Sequence, residues 1–140
     1  MNFTELLTDL ASGANAIIRI SAAKFNLTAS QAFHLLSIPF DGIPMSILAN
    51  RLGLDTSTLT RNIQKLESLS LVKRTVDSYD RRIQRVLLTN NGVSLVESFE
   101  NYLMEQHQSI VDLIDLDAQE NLLIALEKLS WAFDCNREKS

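Results

Sequence analysis

From residue 3 onward, apolar side chains recur at steps of four and three: Phe3, Leu7, Leu10, Ala14 and Ile17. That spacing lies on one face of a helix. Ser21 keeps the phase with a polar side chain and Phe25 resumes the stripe, so the pattern predicts a helix over 3–25, about six turns at 3.6 residues each. Leu27-Thr28 interrupts it. Thr28 with Gln31 forms a capping box for a second helix over 29–37. SIPFDGIPM (37–45) holds both prolines and Gly42, which predicts a loop with a short edge strand near Ile43. MSILANRL (45–52) reads as a third helix, closed by Gly53 in a left-handed conformation. Asp55 or Thr56 caps a fourth helix that runs to about Leu69, with Leu59, Ile63 and Leu66 inward.

After Leu69 the period falls from that of a helix to that of a strand. LVKRTV (71–76) and RIQRVLL (82–88) alternate and are rich in β-branched residues, with DSYDR at the turn, so a hairpin with a charged tip is predicted. Thr89 opens a fifth helix, striped by Val96, Phe99, Leu103, Ile110 and Ile114. Asp117 and Glu120 cap a last one, striped by Leu122, Leu126, Leu129 and Phe133, before a polar tail, CNREKS.

A three- or four-residue turn between the third and fourth helices is the spacing of a helix-turn-helix, and a hairpin directly after it makes a winged helix. The fold expected is mostly α with a small β-hairpin wing. The 140 residues form one domain, with a winged helix-turn-helix lobe at 28–92. The flanking segments, 1–27 and 93–140, carry more apolar stripe than such a lobe needs. They are expected to be dimerisation helices, covered by a second copy of the chain.

Composition adds little until it is resolved along the chain. With 46% hydrophobic and 21% charged residues, the chain is an ordinary folded one. A single cysteine, Cys135, excludes an internal disulfide framework and suits a reducing compartment. Glu5 and Asp9 stand where a signal peptide carries positive charge, and no run approaches the roughly 20 apolar residues of a membrane span. A cytoplasmic protein without membrane association is expected. The net charge of −4 argues against a polyanionic partner, but residues 51–85 carry eight Arg and Lys against four Asp and Glu. The middle is therefore +4 and the remainder −8, and it is the local field that steers a polyanion.

The stretch DTSTLTRNIQKL (55–66) acquires a purpose on this fold. With Leu59, Ile63 and Leu66 inward, Thr56, Ser57, Thr58, Thr60, Arg61, Gln64 and Lys65 fall on or near the outward side. Small hydroxyl side chains on the first turn let a helix enter a major groove of double-stranded DNA without a clash, and its free N–H groups favour a phosphate. Arg61 suits guanine O6 and N7, and Gln64 suits adenine. At the hairpin, Lys73 and the pair Arg81-Arg82 place cations where a wing meets DNA, Arg82 at the narrow minor groove. Asp80, two residues before Arg82, is placed to hold that guanidinium by a charge-assisted hydrogen bond.

Three segments, LTASQAFHLL (27–36), SILANRLGLDTSTLTRNIQKLESLSLVKR (46–74) and DSYDRRIQRVLLTNNG (77–92), resemble the MarR (multiple antibiotic resistance regulator) family. The Asp80-x-Arg82 of the wing, followed by Leu88-Thr89 and Gly92, is the most specific part. The resemblance implies homodimeric winged-helix transcription regulators, often repressors, many of them released by small aromatic acids or oxidants. Two positions depart from the family pattern. Ser70 stands where members usually have Gly. A left-handed Ser costs about 1 kcal/mol, so another cap geometry is expected there. Tyr79 replaces an Arg that members often carry before the wing Asp, which removes one phosphate contact.

Nothing else competes strongly. His34 and His107 are far apart in the sequence, and no Cys/His/Asp set has zinc-ligand spacing, so neither a metal nor a cofactor is expected and His34 reads as packed. Oxidant-sensing members of the family use a cysteine near the start of the chain, whereas Cys135 is near the end. Trp131 and Phe133 read as interface or core. No nucleophile triad, phosphate loop or carboxylate pair suggests an enzyme. The function expected is a sequence-specific regulator, a repressor, that binds an inverted-repeat operator as a homodimer, with half-sites about 10 bp apart. The effector and its residues are unassigned. The alternative is a winged-helix protein-interaction module that has lost DNA binding, favoured by the overall acidity and Tyr79.

Overall fold

The computed structural model describes residues 1–139. Six helices and three short strands follow in the order α1 (Phe3–Ala23), α2 (Ala29–Leu36), β1 (Ile43–Pro44), α3 (Met45–Leu52), α4 (Thr56–Ser68), β2 (Val72–Val76), β3 (Gln84–Leu88), α5 (Asn90–Val111) and α6 (Leu116–Glu138). The strands form an antiparallel sheet of order β1-β3-β2. Ile43 lies opposite Val86, Val72 opposite Leu88 and Val76 opposite Gln84. This is a winged helix: a helix-turn-helix of α3 and α4, then a β2–β3 hairpin whose inner strand also pairs with the edge strand β1.

The chain divides into two compact units, Met1–Leu103 and Met104–Ser140. The first holds the core. Leu59, Ile63 and Leu66 of α4 pack with Leu35 of α2, Leu48 of α3, Val86 of β3 and Phe99 of α5, all buried. Ser21, the polar member of the first stripe, is itself buried beside Ala22, whereas Phe3 and Leu10 are exposed. Only the C-terminal end of α1 therefore enters this core. Phe25 sets its ring edge-on to Phe99, with centroids 5.4 Å apart.

Local signals fix the helix ends. The Thr28–Gln31 capping box is present in both directions, and Asp55 caps α4 by accepting from Thr58 N–H. Three helices end in the same cap, in which the residue after a left-handed position donates to the carbonyl five residues back. The left-handed residues are Asn26, Gly53 and Ser70, at φ 58, 68 and 62. The closing bonds are Leu27 to Ala22, Leu54 to Ala49 and Leu71 to Leu66. Ser70 therefore takes the left-handed geometry despite its side chain, contrary to expectation. The closing bond and the burial of Leu66 and Leu71 in one cluster hold it there.

Thr89 joins this corner to α5. Its Oγ1 donates to Ser70 O (2.6 Å) and accepts from Gly92 N–H (3.0 Å), while its own N–H donates to Leu71 O. Gly92 is required here, because a Cβ would run into the Leu71 carbonyl oxygen.

The last helix departs from the sequence reading at both ends. Its cap is Asp115, whose side chain accepts from Ala118 N–H, and not Asp117, which lies inside the first turn. Asp115 follows a turn and is extended, so it can aim its carboxylate back at the helix. The helix also continues to Glu138, through most of the polar tail. None of its described residues is buried.

Candidate nucleic-acid interface

The outward surface of α4 is built by its own cap. Asp55 Oδ1 accepts from Thr58 N–H at 2.7 Å and Oδ2 from the Thr58 hydroxyl at 3.0 Å. The backbone bond, then the hydroxyl, hold the Asp55 carboxyl below its ordinary range. Thr58 is thus engaged in the cap and half-buried. Arg61 Nη2 reaches the Thr58 hydroxyl at 3.4 Å, which lays its side chain back along the first turn. Thr60 donates its hydroxyl to Thr56 O (2.8 Å) and keeps acceptor capacity. Thr56, Ser57, Arg61, Gln64 and Lys65 are exposed.

The wing tip is held by two aspartates. Asp77 Oδ2 accepts the backbone N–H groups of Tyr79 and Asp80, closing the turn. Asp80 takes Arg82 in a fork, Oδ1 from Nε and Oδ2 from Nη2, each at 3.0 Å, and Oδ1 also accepts from Arg82 N–H. The Arg82 side chain first, then its backbone N–H, hold the Asp80 carboxyl below its ordinary range. The same contact pushes the guanidinium up. The bond expected between Asp80 and Arg82 is therefore present, yet the Arg82 side chain is still 89% exposed. The pair orients the cation without hiding it. Arg81, Tyr79 and Lys73 are exposed too.

The structure joins the two constellations. Thr56 and Thr60 of α4, Ser46 of α3, and Arg82, Ile83 and Gln84 of the wing line one groove of about 300 Å³. It also sorts the basic middle in a way spacing cannot. Arg74 pairs with Glu67 (2.9 Å) and Arg85 with Asp77 (3.4 Å), so two of the eight cations serve the fold. Among the described residues, Arg51, Arg61, Lys65, Lys73 and Arg81 have no ion-pair partner.

Two features escaped the sequence reading. His34 is buried, as its packed position suggested, but it also spans α2 to α4, with Nδ1 2.6 Å from Ser30 O and Nε2 3.1 Å from Asn62 Nδ2. A crevice of about 460 Å³ between α1, α2 and the end of α3 is lined by Asn15, Arg19, Phe33, His34, Arg51 and Leu54, among others. The partners are far apart in sequence, so no periodicity signals either. Among the described residues, no group of three His, Cys, Asp or Glu is placed to hold a metal ion.

The MarR family model matches residues 27–84, the span from the start of α2 to the returning strand of the wing. Residues 27–84 of the winged helix are thus similar to the MarR family. Solved structures agree on the fold over nearly the whole chain. Wild-type MarR from E. coli in its apo form superposes with a TM-score of 0.79 at 23% identity, covering 92% of this chain and 97% of that one. The S. aureus MepR–DNA complex gives a TM-score of 0.73 at 23% identity, covering 94% and 98%. A mutant E. coli MarR complexed with operator DNA gives 0.74 at 24%, covering 90% and 91%. Among the described residues, no helix is long and apolar enough to cross a membrane.

Proposed function

We propose that this protein is a sequence-specific DNA-binding transcription regulator of the cytoplasm, a MarR-family repressor that works as a homodimer on an inverted-repeat operator. The observation that carries the reading is the shared groove. It sets the hydroxyls of Thr56 and Thr60 and the guanidinium of Arg82 on one surface, so a duplex that admits α4 to its major groove meets the wing as well. Ser57, Arg61, Gln64 and Lys65 face outward on the same helix for base and phosphate contacts, and Lys73 and Arg81 extend the positive surface along the hairpin. The solved DNA complexes of MepR and MarR support this use of the fold.

The homodimer is supported by what the chain leaves uncovered. Phe3, Leu10, Leu123, Leu126 and Trp131 are exposed apolar side chains on α1 and α6, more than a lone chain keeps in water. A second copy is the partner that brings a matching stripe. Release by a small molecule is supported by the crevice. Arg19 and Arg51 have no ion-pair partner among the described residues, and Phe33, Leu52 and Leu54 add apolar wall. A volume of about 460 Å³ with two guanidiniums suits a small organic anion with an apolar body.

The test is selection of genomic DNA by the purified protein, then fluorescence anisotropy on the best fragment at two salt concentrations. An inverted repeat bound well above random duplex, with a steep salt slope, is the expected result. A stable dimer that enriches no fragment and ignores duplex DNA at low salt would sink the reading in favour of a protein-interaction module.

A further inference from the structure

His34 is a wall shared by two cavities. On one side is the Arg19–Arg51 crevice; on the other, a smaller cavity of about 220 Å³ also lined by Asn62 and Lys65 of α4. Ser30 O only accepts, so at 2.6 Å it fixes the proton on Nδ1. Nε2 then has a lone pair and accepts from Asn62 Nδ2 at 3.1 Å. Among the described residues, the charged groups that line these cavities are Arg19 of α1, Arg51 of α3 and Lys65 of α4, and no carboxylate lines either. Three cations and no anion thus line the cavities on either side of this ring. An anion in the crevice would supply the missing countercharge.

We propose that binding of a small organic anion in this crevice is linked to uptake of a proton by His34, and that His34 passes the change to α4 through Asn62. The inference rests on the reading of the crevice as an effector site. The proton adds to Nε2, which turns from acceptor to donor. Asn62 Nδ2 then faces another N–H, so the amide must turn its Oδ1 inward or withdraw, and it does so from the inner face of the helix that carries Arg61 and Gln64. Occupancy of the crevice thereby reaches the DNA-facing helix through one side-chain pair, at a residue that is half-buried and therefore able to move.

Among the described residues, His34 is the one imidazole lining either cavity, so a pH dependence has a single local source. The probe is benzoate, a carboxylate on an apolar ring that stays ionised across this range. Its affinity is read from NMR titrations of Leu52 and Leu54 at about pH 5.5 and about pH 7.5. In the wild-type protein benzoate is expected to bind about threefold or more tightly at the lower pH, the size of effect that one linked proton gives. The Asn62 side-chain amide and the backbone amides of Arg61 to Lys65 should shift with benzoate. His34→Gln, which keeps a hydrogen-bonding amide but does not titrate, should bind benzoate equally at both pH values. Asn62→Ala should keep the pH dependence and lose the response of α4.

Equal affinity at both pH values in the folded wild-type protein, with Leu52 and Leu54 still responding, would overturn the proton linkage and leave the crevice reading intact. A His34→Gln profile as steep as wild type would also overturn it. No response of Leu52 or Leu54 to benzoate at either pH would remove the crevice as an anion site, and the proposal with it. DNA affinity plays no part in these readouts, so a failure of the DNA-binding reading is seen separately.

Discussion

Two helices of this chain solve opposite problems with similar materials. The 13 residues of α4 are mostly polar, but all three members of their apolar stripe, Leu59, Ile63 and Leu66, are buried. The 23 residues of α6 hold more Leu, with Trp and Phe besides, and among the described ones none is buried. A stripe that is filled from within the chain frees the opposite face of its helix for other work. A stripe that is left open needs material from outside. The first arrangement makes α4 a rigid platform for Arg61, Gln64 and Lys65. The second leaves α6 as the surface on which the proposed homodimer would form.

The comparison is broken most directly by truncating each stripe. Ile63→Ala leaves a cavity in the centre of the lobe and should cost about 2–5 kcal/mol in chemical denaturation. Leu123→Asp changes a side chain that is 60% exposed, so it should leave the lobe's unfolding midpoint almost unmoved. It should instead shift the sedimentation coefficient from dimer to monomer. If Leu123→Asp unfolds the chain while leaving its association unchanged, α6 is packed from within and the contrast fails.

The outward face of α4 and the wing come next. Arg61→Ala should weaken operator binding by about tenfold to a hundredfold and relax the base preference at one position of each half-site. Arg82→Ala should weaken binding to operator and random duplex alike and flatten the salt slope. Neither substitution removes a buried contact, so melting temperatures should stay within a degree or two of the parent, about the scale of other surface changes. A fall in melting temperature that tracks the loss of affinity would show these residues to be structural.

The wing can be sharpened with pH. Asp80 is held below the ordinary carboxylate value of 3.8 because it is hydrogen-bonded to Arg82. A carboxyl depressed in the folded state contributes above its unfolded value and loses that contribution as pH falls through its folded value. The wing should therefore be unchanged from neutrality down to the ordinary carboxylate range and lose its Asp80–Arg82 fork only below it. The Arg82 Nε–H resonance reports this, and Asp80→Asn should show the low-pH signal at neutrality. A change centred near neutral pH would point to another group.

How much of this was legible depended on how far apart the cooperating residues lie in the chain. Helix ends written over three or four residues were readable: Thr28 with Gln31, Asp55 as one of two candidate caps, Gly53 alone. So were the edge strand at Ile43 and the Asp80–Arg82 fork, two residues apart. The cap of α6 was misplaced by two residues because Asp115 and Asp117 offer the same chemistry, and only the extended backbone at Asp115 decides between them. The polar tail was read as a stop, although nothing in CNREKS prevents a helix from continuing. Burial of Ser21 in place of Phe3 or Leu10 was invisible, because periodicity gives a face and not what covers it. The candidate site divides the same way. Its exposed list came from one helix and one hairpin. The removal of Arg74 and Arg85 from the free cations, and the His34–Asn62 contact 28 residues apart, required the fold.

The smallest effect tests what the three matching helix caps imply. Asn26, Gly53 and Ser70 occupy the same left-handed position, and Ser is the least suited of the three to it. The position is not strained by a clash that a different loop would relieve. Leu71 N–H must reach Leu66 O, and Ser70 O must meet the Thr89 hydroxyl, so the surrounding bonds determine the backbone and the residue follows. Ser70→Gly keeps both bonds, since neither uses the Ser side chain, and removes the left-handed penalty. Against that, Gly gains freedom in the unfolded chain, so the net gain should be modest, about 0.5–1 kcal/mol. It should appear as a higher denaturation midpoint with an unchanged slope. A loss of stability would mean that the Ser70 side chain holds the corner in some way its backbone does not, and that the cap of α4 is built differently from those of α1 and α3.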